Sequence, residues 1–153
     1  MFPVVLAFHS FIRWLLLILL GFAVWKGYIG WKKQSTFSRF NHTLSLVTAS
    51  AAIIQFIIGA WLYFKSPLVG FFLENFTEAV HMRDNRFFGM EHSFVMTLAI
   101  IIIVAGVLKA GKKTDSAEKF RIIAIWFGIG LLLILSSIPW SFSPFTSRPN
   151  FRF

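Results

Sequence analysis

Cysteine is absent from this chain of 153 residues, and acidic residues are scarce. Without cysteine there can be no disulfide, thiolate metal site, iron–sulfur cluster or covalently attached c-type haem. Only 6 aspartates and glutamates stand against 15 lysines and arginines, giving a formal net charge of +9. The basic residues lie beside apolar runs, where membrane orientation and anionic lipid explain them better than nucleic acid does. We therefore expect no nucleic-acid partner. The strong nitrogen ligands that remain are His9, His42, His81 and His92.

Long polar stretches are lacking as well. Hydrophobic residues make up 57% of the chain and charged residues 14%, which is typical of membrane proteins. Four apolar segments approach the ~20 residues that a helix needs to cross the hydrocarbon core. They run from about 4 to 29, 43 to 64, 87 to 108 and 122 to 140. Because lipid cannot satisfy backbone polar groups and the connections are short, the sequence predicts an all-α integral membrane protein. Its single domain, residues 1–153, is predicted to be an up-down-up-down four-helix transmembrane bundle.

The basic residues predict an orientation for this bundle. Nine of them flank the first and third connections: Lys26, Lys32, Lys33, Arg39, Lys109, Lys112, Lys113, Lys119 and Arg121. Five lie on the opposite side: Lys65, Arg83, Arg86, Arg148 and Arg152. Cytoplasmic loops carry the excess of lysine and arginine, so we expect both termini on the periplasmic side of a bacterial inner membrane.

The connection between the second and third spans has a helical pattern of its own. Apolar residues recur at helical spacing, with acidic and amide residues on the other side; the apolar set is Val69, Phe72, Leu73, Phe76 and Val80. The pattern predicts a short helix lying in the outer membrane interface. An apolar lid packed across the mouth of the bundle would produce the same pattern.

Two histidines and an arginine lie inside the predicted spans. His9 and Arg13 lie in the first span, one helical turn apart, and ionisable residues within a membrane indicate a functional site. The tripeptide that begins at His9 recurs at His92, 83 residues later, in a span that runs in the same direction. Duplication of a helical hairpin would explain the repeat, and so would chance in a chain with 20 phenylalanines.

The depth of these histidines suggests a shared ligand. Neighbouring helix axes are ~8–10 Å apart, so the first and third helices would be separated by roughly 11–14 Å across the diagonal of the bundle. That distance accommodates a planar cofactor, and imidazole is a common axial ligand of haem iron. We therefore predict one b-type haem near the outer face, between His9 and His92. Arg13 is expected to pair with Glu91 or with a haem propionate, and Arg86 could hold a propionate at the membrane surface.

Two other interpretations compete with haem. The histidines could form interhelical hydrogen bonds that stabilise the bundle without any ligand. A zinc or copper ion could instead be bound by His9 and His92 with Glu91, completed by His81. The positive charge of Arg13 argues against such a cation. A second haem is not expected, because the cytoplasmic side offers no histidine pair.

The motifs His9-Ser10-Phe11-Ile12-Arg13-Trp14 and Glu91-His92 resemble those of small four-helix membrane proteins of the cytochrome b-like kind, including b561-type and copper-resistance-D-type domains. The resemblance implies that transmembrane histidines bind haem b or a metal, and this role transfers to His9 and His92. The missing second pair departs from the two-haem pattern.

We thus expect a b-type cytochrome-like protein that transfers electrons within a larger redox assembly, rather than a stand-alone enzyme. A cofactor-free structural subunit of a larger complex, or a periplasm-facing metal-binding protein, is the alternative. Association with lipid is expected in either case, together with a larger membrane complex or a homo-oligomer.

Overall fold

The structure is a computed structural model that describes residues 1–143, Thr146 and Arg148; Arg152 lies outside the described residues. Within them it is all-helical. The elements are α1 (Phe2–Lys32), α2 (Arg39–Lys65), α3 (Pro67–Glu74), α4 (Phe76–Ala79), α5 (Arg83–Arg86), a π-helical turn (Phe87–Glu91), α6 (His92–Gly111) and α7 (Ser116–Ser137).

Four helices are long and apolar enough to cross a membrane, which confirms the four predicted segments. They are α1, α2, α7 and the continuous run Arg83–Gly111, which comprises α5, the π-helical turn and α6. Their exposed faces carry large apolar side chains, as contact with lipid requires.

Most helix ends lie several residues beyond the apolar segments, because capping residues set them. The side chain of Ser38 caps α2 by accepting from the backbone of Asn41, and Asp115 caps α7 by accepting from that of Glu118 at 2.8 Å. The fourth helix ends earlier than predicted, at Ser137 rather than Trp140. Pro139 accounts for this difference, since proline lacks an N–H and disfavours helical geometry in the residue before it.

The four long helices form a bundle with one hydrophobic core. α1 packs against α2 and α7, and α6 packs against the same two helices, so α1 and α6 occupy diagonal positions. Leu20, Ile103 and Phe127 are completely buried at its centre. The diagonal relation expected for the two histidine-bearing helices is therefore present.

The bundle has two chemically different ends. At the basic end the connections 33–38 and 112–115 meet: the backbone N–H of Phe37 donates to Ser116 Oγ at 3.0 Å, and Lys119 Nζ lies 5.7 Å from the Phe37 ring centroid. At the opposite end, which we call the histidine end, the rings of Trp14 and Trp140 are 5.9 Å apart.

The connection between α2 and α5 is helical, as predicted, but its apolar residues do not share one face. Val69 and Phe72 are buried, whereas Leu73 and Phe76 are exposed. The inward pair fits a lid that packs on the bundle, and the outward pair fits contact with lipid.

A π-helical turn between α5 and α6 was not expected from the sequence. It contains Gly89, whose carbonyl oxygen accepts a hydrogen bond from the Tyr63 hydroxyl of α2 at 2.8 Å. A Cβ atom at Gly89 would clash with the Phe72 ring, so glycine permits α3 to pack on the turn. The π-helical turn is therefore held by contacts from two other helices.

Candidate functional site

His92 is the first residue of α6, directly after the π-helical turn. Its Nδ1 lies 2.8 Å from the backbone carbonyl oxygen of Ser137 on α7. A carbonyl can only accept, so Nδ1 carries the proton and Nε2 of the neutral ring retains its lone pair. The acceptor is available because α7 ends at Ser137 and no later turn of that helix bonds its carbonyl.

His9 lies in α1 with its ring against α2. A Cβ atom built at Gly59 would be 3.1 Å from His9 Cε1 and 3.7 Å from Nδ1. Gln55, one turn before Gly59, donates from Nε2 to the backbone carbonyl oxygen of His9 at 2.9 Å. Among the described residues, His9 Nδ1 is buried and has no hydrogen-bond partner.

Arg13 lies one turn deeper in α1 than His9. Its Nη2 donates to Ser10 Oγ at 3.4 Å, and its guanidinium lies 5.5 Å from the Trp14 ring centroid. The positive charge of Arg13 acts electrostatically on both His9 and His92. Arg13 and the two histidines, which come from diagonal helices, therefore interact electrostatically.

The expected ion pair between Arg13 and Glu91 is wrong, because Glu91 pairs with Arg86. Arg86 Nε donates to Glu91 Oε1 at 2.7 Å, and both side chains are 35% exposed. The two residues are five apart, and a π-helical turn bonds residues five apart and so brings them to one face. Arg86 also donates to the Val80 carbonyl oxygen at 3.3 Å.

The full metal-ligand set predicted from the sequence is not assembled. Within the part of the chain that the structure describes, no three histidine, aspartate or glutamate side chains form a group that could hold a metal ion. His42 and His81 are exposed. His9 and His92 remain the two nitrogen donors of the histidine end.

Three features of this end escaped the sequence analysis. The Ser137 carbonyl is a backbone group, and only the nearby Pro139, which accounts for the end of α7, indicated that it would be available. Gly59 carries a signal in its spacing, since Gln55 and Gly59 are four residues apart and share a helix face. The hydrogen bond from Tyr63 to Gly89 depends on the π-helical turn, and no residue type in that segment predicts such a turn.

The bundle has a cavity at its basic end, away from the two histidines. A cavity of about 120 Å³ opens at the basic end, lined by Phe37, His42, Ser45, Val107, Ala110, Gly111, Lys119 and Ile123. It does not reach His9 or His92. Comparison of the chain with protein-family models, curated proteins and solved structures finds no match.

Proposed function

We propose that this protein binds a single b-type haem at the histidine end, where His9 and His92 would hold the iron, and that it transfers electrons. The observation that carries the proposal is the hydrogen bond from His92 Nδ1 to the Ser137 carbonyl oxygen. Histidines that bind metals nearly always donate their other ring nitrogen to such an acceptor, which fixes the tautomer and orients the ring.

The donor set favours haem over a single metal ion. Haem supplies four nitrogen ligands of its own and takes no more than two from the protein, whereas zinc requires three or four protein ligands. Two histidines without a third ligand among the described residues match the first requirement and not the second. Arg13 also favours haem over a metal ion, because a guanidinium repels a metal cation and pairs with a carboxylate such as a propionate.

Each residue of the site then has a defined task. His9 and His92 bind the iron, and Ser137 orients His92. Arg13 neutralises an acidic group of the cofactor inside the membrane. Arg86, which the structure pairs with Glu91, serves a propionate at the surface only if it leaves that carboxylate. The haem supplies a one-electron couple, and the chain acts as an electron carrier within a larger redox assembly.

The contacts between helices also support the up-down-up-down topology, and the charge distribution supports its orientation. Residues early in α1 meet residues late in α2, as Gln55 and His9 do, and His92 at the start of α6 meets Ser137 at the end of α7. We propose that the basic end faces the cytoplasm and both termini face the periplasm, with α3 and α4 at the outer interface. The chain contains no cysteine, so single cysteines can report on sidedness. Thr36→Cys and Thr77→Cys should react with a membrane-impermeant thiol reagent in inverted vesicles and intact cells, respectively; the opposite pattern reverses the orientation.

An absorption spectrum tests the haem. Purified from cells with adequate haem supply and reduced with dithionite, the protein should show the α-band of a b-type haem. His9→Ala and His92→Ala should each lose it, while the matched controls His42→Ala and His81→Ala, at exposed positions, should retain it. A wild-type protein without the band contradicts the haem, and a band retained in both site variants contradicts the ligands.

The second candidate is a cofactor-free structural subunit, and the packing at the histidine end favours it. The bonds Gln55–His9 and His92–Ser137 join helices without any ligand, and the cavity is at the basic end. In this case the absorption spectrum of His92→Ala would equal that of the wild type. The variant would instead lose a membrane partner that co-purifies with the wild type in mild detergent.

A further inference from the structure

We infer that Gln55 and Gly59 of α2 are positioning residues for His9, and that Gln55 Oε1 accepts the Nδ1 proton of His9 when Nε2 binds iron. This inference deepens the proposed function and rests on it. It assigns to α2 the task that the end of α7 performs for His92.

Two buried polar atoms lack partners, one on the His9 ring and one on the Gln55 amide that bonds to the His9 backbone. Among the described residues, neither His9 Nδ1 nor Gln55 Oε1 has a hydrogen-bond partner, and both atoms are buried. Gln55 as a residue is only 9% exposed. Buried polar atoms are almost always hydrogen-bonded, and an unsatisfied pair in an apolar bundle is costly. The histidine end therefore contains an acceptor and a ring nitrogen that each require a partner.

The amide of Gln55 is already fixed beside His9. Its Nε2 donates to the His9 backbone carbonyl oxygen at 2.9 Å, which leaves Oε1, the acceptor, as the free atom of the same amide group. The His9 ring lies against the next turn of the same face of α2, at Gly59. The Gln55 amide and the His9 ring therefore lie at neighbouring turns of the same face of α2.

The chemistry of the two atoms is complementary only in one tautomer. A histidine that binds iron through Nε2 carries its proton on Nδ1, and this N–H requires an acceptor. Gln55 Oε1 supplies one. His92 already shows the corresponding arrangement, with Nδ1 on the Ser137 carbonyl oxygen. The two ligands would then each be oriented by an oxygen atom from a neighbouring helix, α2 for one and α7 for the other.

Gly59 sets how closely the ring can approach α2. A Cβ atom there would lie 3.1 Å from His9 Cε1, tighter than ordinary van der Waals contact. An alanine at this position must displace the imidazole by a few tenths of an ångström and so change how the ring lies against α2. Gly128 of α7 offers a matched control, because a Cβ atom at that position would meet nothing within 4 Å.

The experiment measures haem affinity and midpoint potential for Gln55→Leu, Gln55→Glu and Gly59→Ala in the full-length protein. Loss of a second-sphere acceptor typically weakens metal binding by about 10–100-fold, and we expect that loss for Gln55→Leu. Its midpoint potential should rise, since a less basic His9 stabilises ferric iron less. Gln55→Glu retains an acceptor, so it should restore affinity and lower the potential. Gly59→Ala should weaken binding, and Gly128→Ala should not.

Thr48→Val is the control for loss of a buried polar group on the same helix. Thr48 is completely buried and its hydroxyl donates to the Leu44 carbonyl oxygen of its own helix, away from His9. It should leave affinity and potential unchanged. If wild-type protein binds haem and Gln55→Leu keeps its affinity within about twofold, the inference fails while the proposed function stands.

A measurement on haem-free protein further distinguishes failure of this inference from failure of the proposed function. With ¹⁵N-labelled histidine, Gln55→Leu should move the Nδ1 resonance of His9, because it removes the amide that holds the His9 backbone and with it the ring, and should leave that of His92 in place. If the wild type shows no haem band, the proposed function fails, and this resonance still decides whether Gln55 positions His9. An unmoved His9 resonance overturns the inference.

Discussion

The two ends of the bundle differ in how side-chain hydrogen bonds join the long helices. At the histidine end, three side chains bond to the backbone of another helical segment: Gln55 to that of His9, Tyr63 to that of Gly89 and His92 to that of Ser137. Towards the basic end, buried hydroxyls bond to their own helix. Ser45 donates to the Asn41 carbonyl oxygen at 2.9 Å, and Thr48 donates to that of Leu44 at 2.7 Å.

Small residues and aromatic rings join the helices at the basic end instead. A Cβ atom at Gly27 would be 2.9 Å from the backbone nitrogen of Ala124, so α1 and α7 approach backbone to backbone there. Such close approach is a common means of association for membrane helices. Lys109 Nζ lies 4.6 Å from the Trp126 ring centroid, and the Arg121 guanidinium lies 5.9 Å from that of Trp31. The comparison indicates that close packing joins the helices at the basic end, whereas side-chain hydrogen bonds to backbone groups join them at the histidine end.

The largest effect expected from this comparison is at Gly27. Gly27→Ala should lower the free energy of unfolding by about 1–3 kcal/mol, because the new methyl group forces α1 and α7 apart. Haem affinity of the folded fraction should not change, since the substitution is far from His9. Denaturation in mixed micelles measures the first quantity and haem titration the second.

Gly21→Ala is the matched control for Gly27→Ala. Gly21 lies in the same helix, and a Cβ atom there meets nothing within 4 Å. Its stability should equal or slightly exceed that of the wild type, as alanine is the better helix former. Equal losses in both variants would show that close packing at Gly27 is not what holds this end.

A smaller effect, located at the other end, is expected for Tyr63→Phe. The substitution removes the hydroxyl that donates to the Gly89 carbonyl oxygen. Hydrogen bonds between membrane helices contribute about 0.6 kcal/mol on average and up to about 1.7, so the loss should fall in that range. Here stability and haem affinity should fall together, because the π-helical turn leads directly into His92.

Tyr28→Phe controls for the change of side chain, since Tyr28 is half exposed on α1. It should leave both measurements at the wild-type value. A Tyr63→Phe variant that loses stability without any change in haem affinity would separate the π-helical turn from the site and weaken the comparison.

The four spans could be predicted because hydropathy and the thickness of the bilayer leave little choice. The ends differ by a few residues where caps such as Ser38 and Asp115 determine them. The diagonal relation of His9 and His92 followed from short connections alone. The contacts of each imidazole ring could not be predicted in this way, because they depend on which turn of α2 or α7 packs against the ring.

Glu91 shows most clearly why part of the site was beyond prediction. Its choice of Arg86 over Arg13 follows from a π-helical turn that is stabilised by distant residues, Tyr63 and Phe72. Local sequence gives no reason for that turn, since Phe87–Glu91 contains no proline and continues an apolar pattern. The hydrogen bond from the Tyr63 hydroxyl to Gly89 was equally beyond local prediction, because it joins α2 to that turn.

The π-helical turn has a consequence for how the third span is aligned. One extra residue in a helix rotates everything beyond it by roughly 100° about the axis. On one side of the turn, α5 is aligned by its surroundings: Asp84 pairs with Arg148 at 2.6 Å, and Asn85 donates to the Leu68 carbonyl oxygen at 3.1 Å. On the other side, α6 is aligned by His92 and α7. The extra residue thus lets α5 and His92 each reach their own partners within one continuous helix.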